Sequence, residues 1–377
     1  MSELLDVANK KKHAVRRRAT PTPTPMQTMR LHTDKVSVVA FFNDGRRVVT
    51  GSWDYTLQIC DIQKGTVVGG PLVGHSNKVF SVAVSPDDRR IASGGKDNSI
   101  IIWDVESRRL LFDPLTKHTK WVSSVCFSLN GKRLASGSYD STVIIWDAET
   151  GALLSTLQGD RGGVSSVAFN PDGSKLASGS LRSIYIWRTD SNAELIFEIN
   201  AHEKWVLSVV WSPDGQQLVS ASYDKTVKFW DSSKGNQIGQ PCTSHTSNIN
   251  SLAISSDGSF IATVSDDSTV QHWSTKSHQE TGELLKHIVD VTCVSISPSA
   301  ELVVVGDLYG EIQFWSIKNT LSAAVQLYSL SDSYFAHRSK VKLRRNLYHE
   351  ALSDAQKVQT ISVIVSTIVM MLDTIDF

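Results

Sequence analysis

The sequence repeats one unit seven times at a period of about 43 residues, and this repeat constrains the fold more than any other feature of the 377-residue chain. A recurring unit of this length is a supersecondary element that cannot bury its own apolar faces, so like units must stack and share a core. The cleanest copy is His118–Asp147, HTKWVSSVCFSLNGKRLASGSYDSTVIIWD.

The pattern inside this copy predicts three short strands, Trp121–Ser128, Arg133–Ser138 and Thr142–Trp146, each rich in strand-forming residues and bounded by turn residues. Asn130-Gly131, between the first two, predicts a type I′ turn, in which both central residues need a positive φ. The third strand is apolar at successive positions, Val143–Trp146, which predicts that it is covered on both faces.

Four polar or amphipathic residues stand out in this copy: His118, Ser136, Asp140 and Trp146. The Trp lies 28 residues after the His, 10 after the Ser and 6 after the Asp, so two hairpins would bring the four together. The imidazole would then join the carboxylate to the hydroxyl, and the hydroxyl would accept from the indole N–H. One interpretation is a Ser-His-Asp catalytic triad. The other, which we adopt, is a structural network, because the set recurs around the chain whereas a catalytic site occurs once.

The pattern His…Ser-Gly…Asp…Trp-Asp at this period resembles the WD40 repeat, and the resemblance extends over Met26–Ile317. It implies an all-β, seven-bladed β-propeller of four-stranded blades. In the family pattern the segment before each His forms the outer strand of the preceding blade. The segment Met26–Leu31 would then complete the last blade, Val291–Ser316, and close the ring.

Four units contain the whole set of four residues and are expected to form structural tetrads: His75/Ser93/Asp97/Trp103, His118/Ser136/Asp140/Trp146, His202/Ser220/Asp224/Trp230 and His245/Thr263/Asp267/Trp273. Three units are incomplete. The first has Cys60 for the Trp, the fourth has Asp160 for the His and lacks the Asp, and the seventh has Val305 and Tyr309 for the Ser and Asp. We expect these three blades to be less rigid than the others.

Composition narrows the possible functions and compartments. The 38 Lys and Arg balance the 38 Asp and Glu, so the bulk charge gives no case for nucleic acid or an anionic membrane. Four scattered cysteines, Cys60, Cys126, Cys242 and Cys293, have neither zinc spacing nor the density of a disulfide framework. The first 18 residues do not have the pattern of a secretory signal. We therefore expect no metal or cofactor, and a cytoplasmic or nuclear location.

The segments outside the repeats predict four further regions. Residues 1–25 form a basic, Pro/Thr-rich tail before the propeller of residues 26–318. Its Lys10–Arg18 cluster is interpreted as a solvated, disordered arm, with a nuclear import signal or a nucleic-acid contact as alternatives. Residues 319–332 form a linker to residues 333–358, which resemble one tetratricopeptide helical hairpin; a plain amphipathic helix is the alternative. The tail, residues 359–377, contains the run ISVIVSTIVMML, which is too short to span a membrane and prone to β-aggregation.

The resemblance also places one set of residues on a single face, where partners are expected to bind: Lys35, Trp53, Lys78, Phe80, Lys96, Trp121, Tyr139, Trp205, Tyr223, Asp266 and Asp290. These positions lie three or five residues after the His, or just before the Asp, of each unit. The set is rich in Trp and Tyr, which are enriched at binding hot spots, and its Lys and Asp members fall in separate arcs. The alternative is that each aromatic residue packs only on the edge of its own blade. The fourth unit has only the small residues Gly163 and Ser165 at these positions.

These observations predict a non-catalytic scaffold or adaptor, a monomeric propeller within a larger complex, that binds peptides or protein loops. The alternative is a nucleus-associated subunit of a chromatin, RNA-processing or ubiquitin-ligase assembly that uses the basic arm. An enzyme is the competing class, but the sequence contains no unique carboxylate pair, Gly-rich phosphate loop or metal cluster.

Overall fold

The computed structural model describes residues 24–158, 162–190, 193–281 and 284–317. Every secondary-structure element bounded within these ranges is a β-strand. The basic arm, the linker, the tetratricopeptide-like hairpin and the apolar tail predicted from the sequence lie outside the described residues.

The strands follow one another with little irregular chain between them, and their bounds are β1 Gln27–Arg30, β2 Val36–Phe41, β3 Arg47–Ser52, β4 Thr56–Asp61, β5 Thr66–Val67, β6 Leu72–Val73, β7 Val79–Val84, β8 Arg90–Gly95, β9 Ile100–Asp104, β10 Val122–Phe127, β11 Arg133–Ser138, β12 Thr142–Asp147, β13 Leu153–Gln158, β14 Ser166–Phe169, β15 Lys175–Gly179, β16 Ser183–Arg188, β17 Leu195–Asn200, β18 Val206–Trp211, β19 Gln217–Ser222, β20 Val227–Asp231, β21 Gln237–Cys242, β22 Ile249–Ile254, β23 Phe260–Ser265, β24 Thr269–Ser274, β25 Leu285–Lys286, β26 Val291–Ile296, β27 Leu302–Asp307 and β28 Glu311–Ser316.

These strands form seven antiparallel sheets, and the prediction of a seven-bladed propeller is confirmed. Blade 3 shows the regular order, β10-β11-β12-β13. Two blades depart from it in their outer strand. In blade 1 both β5 and β6 pair with β4. In blade 2 two isolated bridges, Ile100 with Leu115 and Trp103 with Leu110, stand in place of a fourth strand.

The first and last segments of the propeller share one blade, as predicted. Strand β1 pairs with β28 in a register that places Gln27 opposite Phe314 and Arg30 opposite Glu311. The N–H groups of Leu31 and His32 then donate to the carbonyl of Gly310 at 3.0 and 3.1 Å. Blade 7 therefore holds both ends of the ring.

The core lies between blades rather than within them. The third strand of blade 3 is buried from Val143 to Trp146, as the unbroken apolar run predicts. Its Trp146 packs in one cluster with Ile102 of blade 2, whereas Val143 packs with Leu176 of blade 4. Each blade thus needs both neighbours, because each of its faces is half of an interface.

The turn between the first two strands of blade 3 differs from the prediction. Gly131 has φ +69°, but Asn130 is not among the residues with positive φ, so the turn is not type I′. The Gly131 N–H donates to the Ser128 carbonyl at 2.8 Å, and Ser128 N–H donates to Arg133 O at 2.9 Å. The loop is longer than two residues, and it combines a tight turn with one left-handed glycine.

Strand direction defines two faces of the ring. The loops that hold the tetrad His and Asp lie at one edge, the upper face, where Thr119 N–H donates to Asp140. The glycine turns and the ends of the Trp-Asp strands lie at the other edge, the lower face, where Ala148 N–H donates to Lys132 O. The first strands of neighbouring blades contact one another, and they therefore line the centre of the ring.

Candidate partner-binding face

The four residues singled out in blade 3 form one hydrogen-bonded network. His118 Nδ1 lies 2.9 Å from Asp140 and Nε2 lies 2.8 Å from Ser136, while Trp146 Nε1 donates to the Ser136 Oγ at 2.8 Å. Desolvation lowers the pKa of His118, although Asp140 opposes this, so the imidazole is neutral at pH 7. A neutral ring donates from Nδ1 to the carboxylate and accepts from the Ser136 hydroxyl, which matches the expected pattern.

The same contacts recur in the other three complete tetrads. The imidazole Nε2 lies within hydrogen-bond distance of the hydroxyl in each, at 2.8 Å for His75 and Ser93, 2.7 Å for His202 and Ser220, and 2.8 Å for His245 and Thr263. Burial alone would raise the pKa of Asp97, but hydrogen bonds from His75 and Ser99 outweigh it and hold that pKa at about 2.

The indole N–H completes each of these tetrads. It donates to the same hydroxyl at 2.9 Å from Trp103 to Ser93, 2.8 Å from Trp230 to Ser220 and 2.9 Å from Trp273 to Thr263. The hydroxyl-bearing residues Ser93 and Ser220 are fully buried, and Trp230 is only 4% exposed. These hydroxyl and indole groups are therefore not part of a binding surface, because a partner on either face cannot reach them. They join strands within each blade.

Two incomplete units keep part of the network. In blade 1, His32 still contacts Asp54 at 2.8 Å and Thr50 at 2.7 Å, but Cys60 supplies no indole donor. In blade 4, Trp187 Nε1 donates to Ser178 at 2.8 Å. Asp160 of blade 4 lies outside the described residues.

The seventh unit loses the network at its centre. Val305 has no hydroxyl, and both His287 Nε2 and Trp315 Nε1 are buried without a hydrogen-bond partner within residues 24–158, 162–190, 193–281 and 284–317. The two rings lie 5.1 Å apart. Blade 7 therefore contains two buried polar atoms without a hydrogen bond, whereas the equivalent atoms of the complete blades are hydrogen-bonded.

The backbone brings the predicted partner-binding positions together in pairs. The residue before the tetrad Asp donates its N–H to the residue three after the tetrad His, as in Trp53 to Lys35 at 2.9 Å, Lys96 to Lys78 at 2.7 Å, Tyr139 to Trp121 at 3.0 Å, Tyr223 to Trp205 at 3.0 Å and Asp266 to Asn248 at 3.0 Å. Each pair lies on the upper face.

Four of the predicted aromatic residues form a continuous row, the aromatic arc, made of Phe80, Trp121, Tyr139 and Trp205. Successive ring centroids are 5.9, 5.6 and 5.8 Å apart, within the range of favourable aromatic pairs. Trp121 is 41% exposed. The aromatic residues pack against one another across blades as well as on their own blade edge.

Gly163 of blade 4 allows the arc to continue from blade 3 to blade 5. A Cβ at Gly163 would lie 2.7 Å from Tyr139 Cδ1 and 3.0 Å from Tyr139 Cα. Tyr139 therefore occupies the space that a side chain of blade 4 would fill, and it reaches Trp205 there. The small residue of the fourth unit, which the sequence already shows, therefore permits the contact between Tyr139 and Trp205.

The predicted lysines lie on aromatic faces. The ammonium of Lys78 is 3.4 Å and that of Lys35 is 5.0 Å from the Trp53 ring centroid, and that of Lys96 is 4.4 Å from Trp121. These are cation–π distances. Desolvation lowers the pKa of Lys35.

The predicted acidic residues are held by neutral donors. Asp266 accepts from the amides of Asn248 at 3.2 Å and Asn250 at 2.7 Å, and Asp290 accepts from Ser268 at 3.2 Å. Both carboxylates raise the pKa of Lys35, against the desolvation. The basic and acidic arcs predicted from the sequence therefore interact at Lys35.

Comparison with protein families identifies the repeat. The family described as "WD domain, G-beta repeat" matches residues 23–61 and 236–274. The family described as "Echinoderm microtubule-associated protein second beta-propeller" matches residues 79–251. The chain therefore contains WD40 repeats and folds as a seven-bladed β-propeller. WD40-repeat propellers typically serve as protein-interaction scaffolds, are generally non-catalytic and bind protein partners. A comparison with curated proteins found no significant match.

One class of position on this WD40-repeat propeller has a structural role that sequence reasoning missed. Four of the residues five after the tetrad His turn towards the next blade and hydrogen-bond to backbone carbonyls: Ser37, Ser123, Asn250 and Thr292. Ser37, for example, donates to Gly51 O at 3.0 Å and to Val79 O of blade 2 at 2.5 Å. A short polar residue at this position was the available signal. Phe80, at the same position in blade 2, instead joins the aromatic arc.

Within residues 24–158, 162–190, 193–281 and 284–317, no group of three His, Cys, Asp or Glu could hold a metal ion. No helix among these described residues is both long and apolar enough to cross a bilayer.

Proposed function

We propose that this WD40-repeat propeller is a non-catalytic adaptor that binds peptides or protein loops on its upper face. The observation that carries the proposal is the aromatic arc, in which Trp121 is 41% exposed and touches both Phe80 and Tyr139. Large aromatic side chains that are already ordered before binding supply contact area at a small entropic cost, and such residues dominate binding hot spots.

The charges beside the arc support a protein partner rather than a purely apolar ligand. Lys78 and Lys96 lie over Trp53 and Trp121 on blades 1 to 3, whereas Asp266 and Asp290 belong to blades 6 and 7. Charged groups around an aromatic centre favour one orientation of a bound chain and increase its rate of association. The proposal therefore includes a partner segment with both polar and apolar side chains.

The tetrads support the non-catalytic part of the proposal. Each complete His-Ser-Asp set is buried, and its hydroxyl already accepts from an indole N–H. A serine held in this way is not poised to attack a substrate. We propose that the propeller acts as a monomer within a larger complex, in the cytoplasm or the nucleus.

The test is affinity capture from native lysate with the double variant Trp121→Ala and Trp205→Ala, compared with the unmodified chain. Loss of two hot-spot residues at about 2 kcal/mol each is expected to reduce affinity by about 700-fold. The matched control is Leu154→Ala with Leu195→Ala, two exposed residues on the outer strands of blades 3 and 4. If the folded double Trp variant retains every partner that the control retains, the partner-binding face is wrong.

A further inference from the structure

A cavity of about 480 Å³, lined mainly by apolar residues together with Asn43 and Asn170, lies at the lower end of the central channel. It is formed where the first strands of blades 2 to 5 end, and its lining includes Val84, Phe127, Leu129, Phe169 and Trp211. Leu129, at the lower turn of blade 3, is 68% exposed. Together, the exposed Leu129 and the apolar side chains of the cavity form a candidate docking surface for another chain segment.

The described chain leaves the propeller on the same face. Strand β28 ends at Ser316, and the next residue, Ile317, donates its N–H to Glu301 O in the lower turn of blade 7 at 2.9 Å. Residues 318–377 therefore continue from the lower face. They contain Ile361–Leu372, twelve residues without a charged side chain.

This segment can reach the cavity from its point of departure. The 43 residues between Ile317 and Ile361 have a maximum reach of about 140 Å, which is more than the lower face requires. A domain of this size has a radius of gyration of about 19 Å. A segment tethered at this length has a millimolar local concentration at the lower face, so even weak apolar contacts suffice for binding.

We propose that Ile361–Leu372 docks over the mouth of the lower cavity of its own propeller and inserts apolar side chains into it. This one contact would remove two apolar surfaces from water, the cavity rim at Leu129 and the uncharged segment Ile361–Leu372. An exposed segment of this β-prone composition would otherwise aggregate. The contact lies on the opposite face from the aromatic arc. The proposal therefore does not depend on the function proposed for the upper face, and the two can fail separately.

Proximity is tested by chemical cross-linking in the full chain. A variant with Leu129→Cys and Ser366→Cys is treated with a short bis-maleimide, and the cross-linked peptides are identified by mass spectrometry. The matched control is Leu154→Cys with Ser366→Cys, since Leu154 is 51% exposed on the same blade but on its outer strand. Cys126, which lines the cavity and is only partly buried, is replaced by serine in both variants. Burial raises the pKa of Cys60 and Cys293 to about 12 and that of Cys242 to about 11, which slows their competing reactions.

The expected result is an intramolecular cross-link from position 129 that forms on the order of tenfold faster than from position 154. Equal rates at the two positions would overturn the proposal. So would a cross-link that joins two copies and increases with protein concentration, which would instead assign the cavity to the tail of a second copy.

A second measurement avoids introduced cysteines. Deletion of residues 361–372 removes apolar sequence, and the simplest expectation is that a dye specific for exposed apolar surface binds less. If the segment covers the cavity, the deletion instead exposes Leu129 and its neighbours, and dye binding increases. Leu129→Asp in the deletion variant is expected to reverse that increase. A decrease in dye binding on deletion would contradict self-docking.

Discussion

Tyr139 of blade 3 and Trp205 of blade 5 have ring centroids 5.8 Å apart, although a whole blade separates them along the ring. The contact exists because blade 4 presents Gly163 where other blades present a side chain. The absence of a side chain at Gly163 of blade 4 thus allows the predicted binding residues of blades 3 and 5 to contact each other.

Substitution of Gly163 by alanine is expected to disrupt this contact. The new Cβ would fall 2.7 Å from Tyr139 Cδ1 and 3.0 Å from its Cα, so the Tyr139 backbone has to shift as well as its ring. Overpacking of this kind costs about 1–3 kcal/mol and separates Tyr139 from Trp205. The near-ultraviolet circular dichroism of the arc and partner capture should both change. Gly70→Ala is the control, because no atom lies within 4 Å of its Cβ; identical spectra for the two variants would contradict the expectation.

Asp140→Ala is expected to destabilise the propeller by about 1–3 kcal/mol, because it removes the carboxylate that accepts from the buried His118 Nδ1. Denaturant unfolding monitored by tryptophan fluorescence measures the loss. Asp113→Ala, at an exposed position of blade 2, should leave the midpoint unchanged. Equal midpoints for both variants would refute the structural role of the network.

Val305→Thr is expected to complete the seventh network and stabilise the protein by about 1 kcal/mol. Thr263 at the equivalent position of blade 6 accepts from Trp273 Nε1 at 2.9 Å and contacts His245 Nε2 at 2.8 Å. Val and Thr have similar shapes, so the change adds a hydroxyl between two unsatisfied atoms without a new cavity.

The control for this gain is Val304→Thr, one residue earlier on the same strand. Val304 is fully buried in the cluster shared with blade 1, so its hydroxyl would displace apolar contacts there. Val304→Thr should therefore lower the stability of the protein, whereas Val305→Thr should raise it. Thermal unfolding distinguishes the two, and a destabilised Val305→Thr would be evidence against the assignment of this position.

Stability is expected to fall as the pH drops from about 6.5 to 4. Burial lowers the pKa of both His272 and His287 to about 4, and neither ring is fully hydrogen-bonded within the described ranges. An unfolded histidine has a pKa of about 6.5, so between these values the unfolded chain binds more protons. The histidine contribution is therefore fully present above pH 6.5 and is lost as the pH falls through 4.

His272→Phe isolates one of these titrations. The equivalent residues of blades 5 and 7 are Phe229 and Phe314, so the ring fits the pattern of the repeat. The free energy of unfolding should depend less steeply on pH in the variant, by up to about 1.4 kcal/mol per pH unit in this interval. Denaturant unfolding at a series of pH values gives the slope; equal slopes would show that His272 is not a buried neutral group.

Ring closure predicts that a chain starting at His32 is less stable than one starting at Met26. The shorter chain loses strand β1 and leaves the edge of β28 and the side of Phe314 without their partner. Thermal unfolding of the two forms measures the difference. The same transition for both would mean that the strand does not hold the ring closed.

Much of this architecture could be predicted from the sequence because the repeat encodes local and nearest-neighbour structure. The spacing of His118, Ser136, Asp140 and Trp146 corresponds to two hairpins of fixed length, and seven in-phase copies leave a closed ring as the arrangement that covers every blade on both sides. The turn at Asn130-Gly131 was misassigned, because a dipeptide indicates a turn without giving the length of the loop around it.

The side-chain contacts on the upper face depend on the tertiary structure. Sequence position placed Tyr139 and Trp205 on the same face, but their contact depends on the angle between blades and on the side chain that blade 4 leaves out. In the same way, Ser37 turns into the interface with blade 2 while Phe80 joins the arc, although both occupy the same position of the repeat. The sequence by itself determined the blades, because strands and hairpins follow from local spacing. Only the closed ring decided which side chains of different blades come into contact, because these residues are far apart in the sequence.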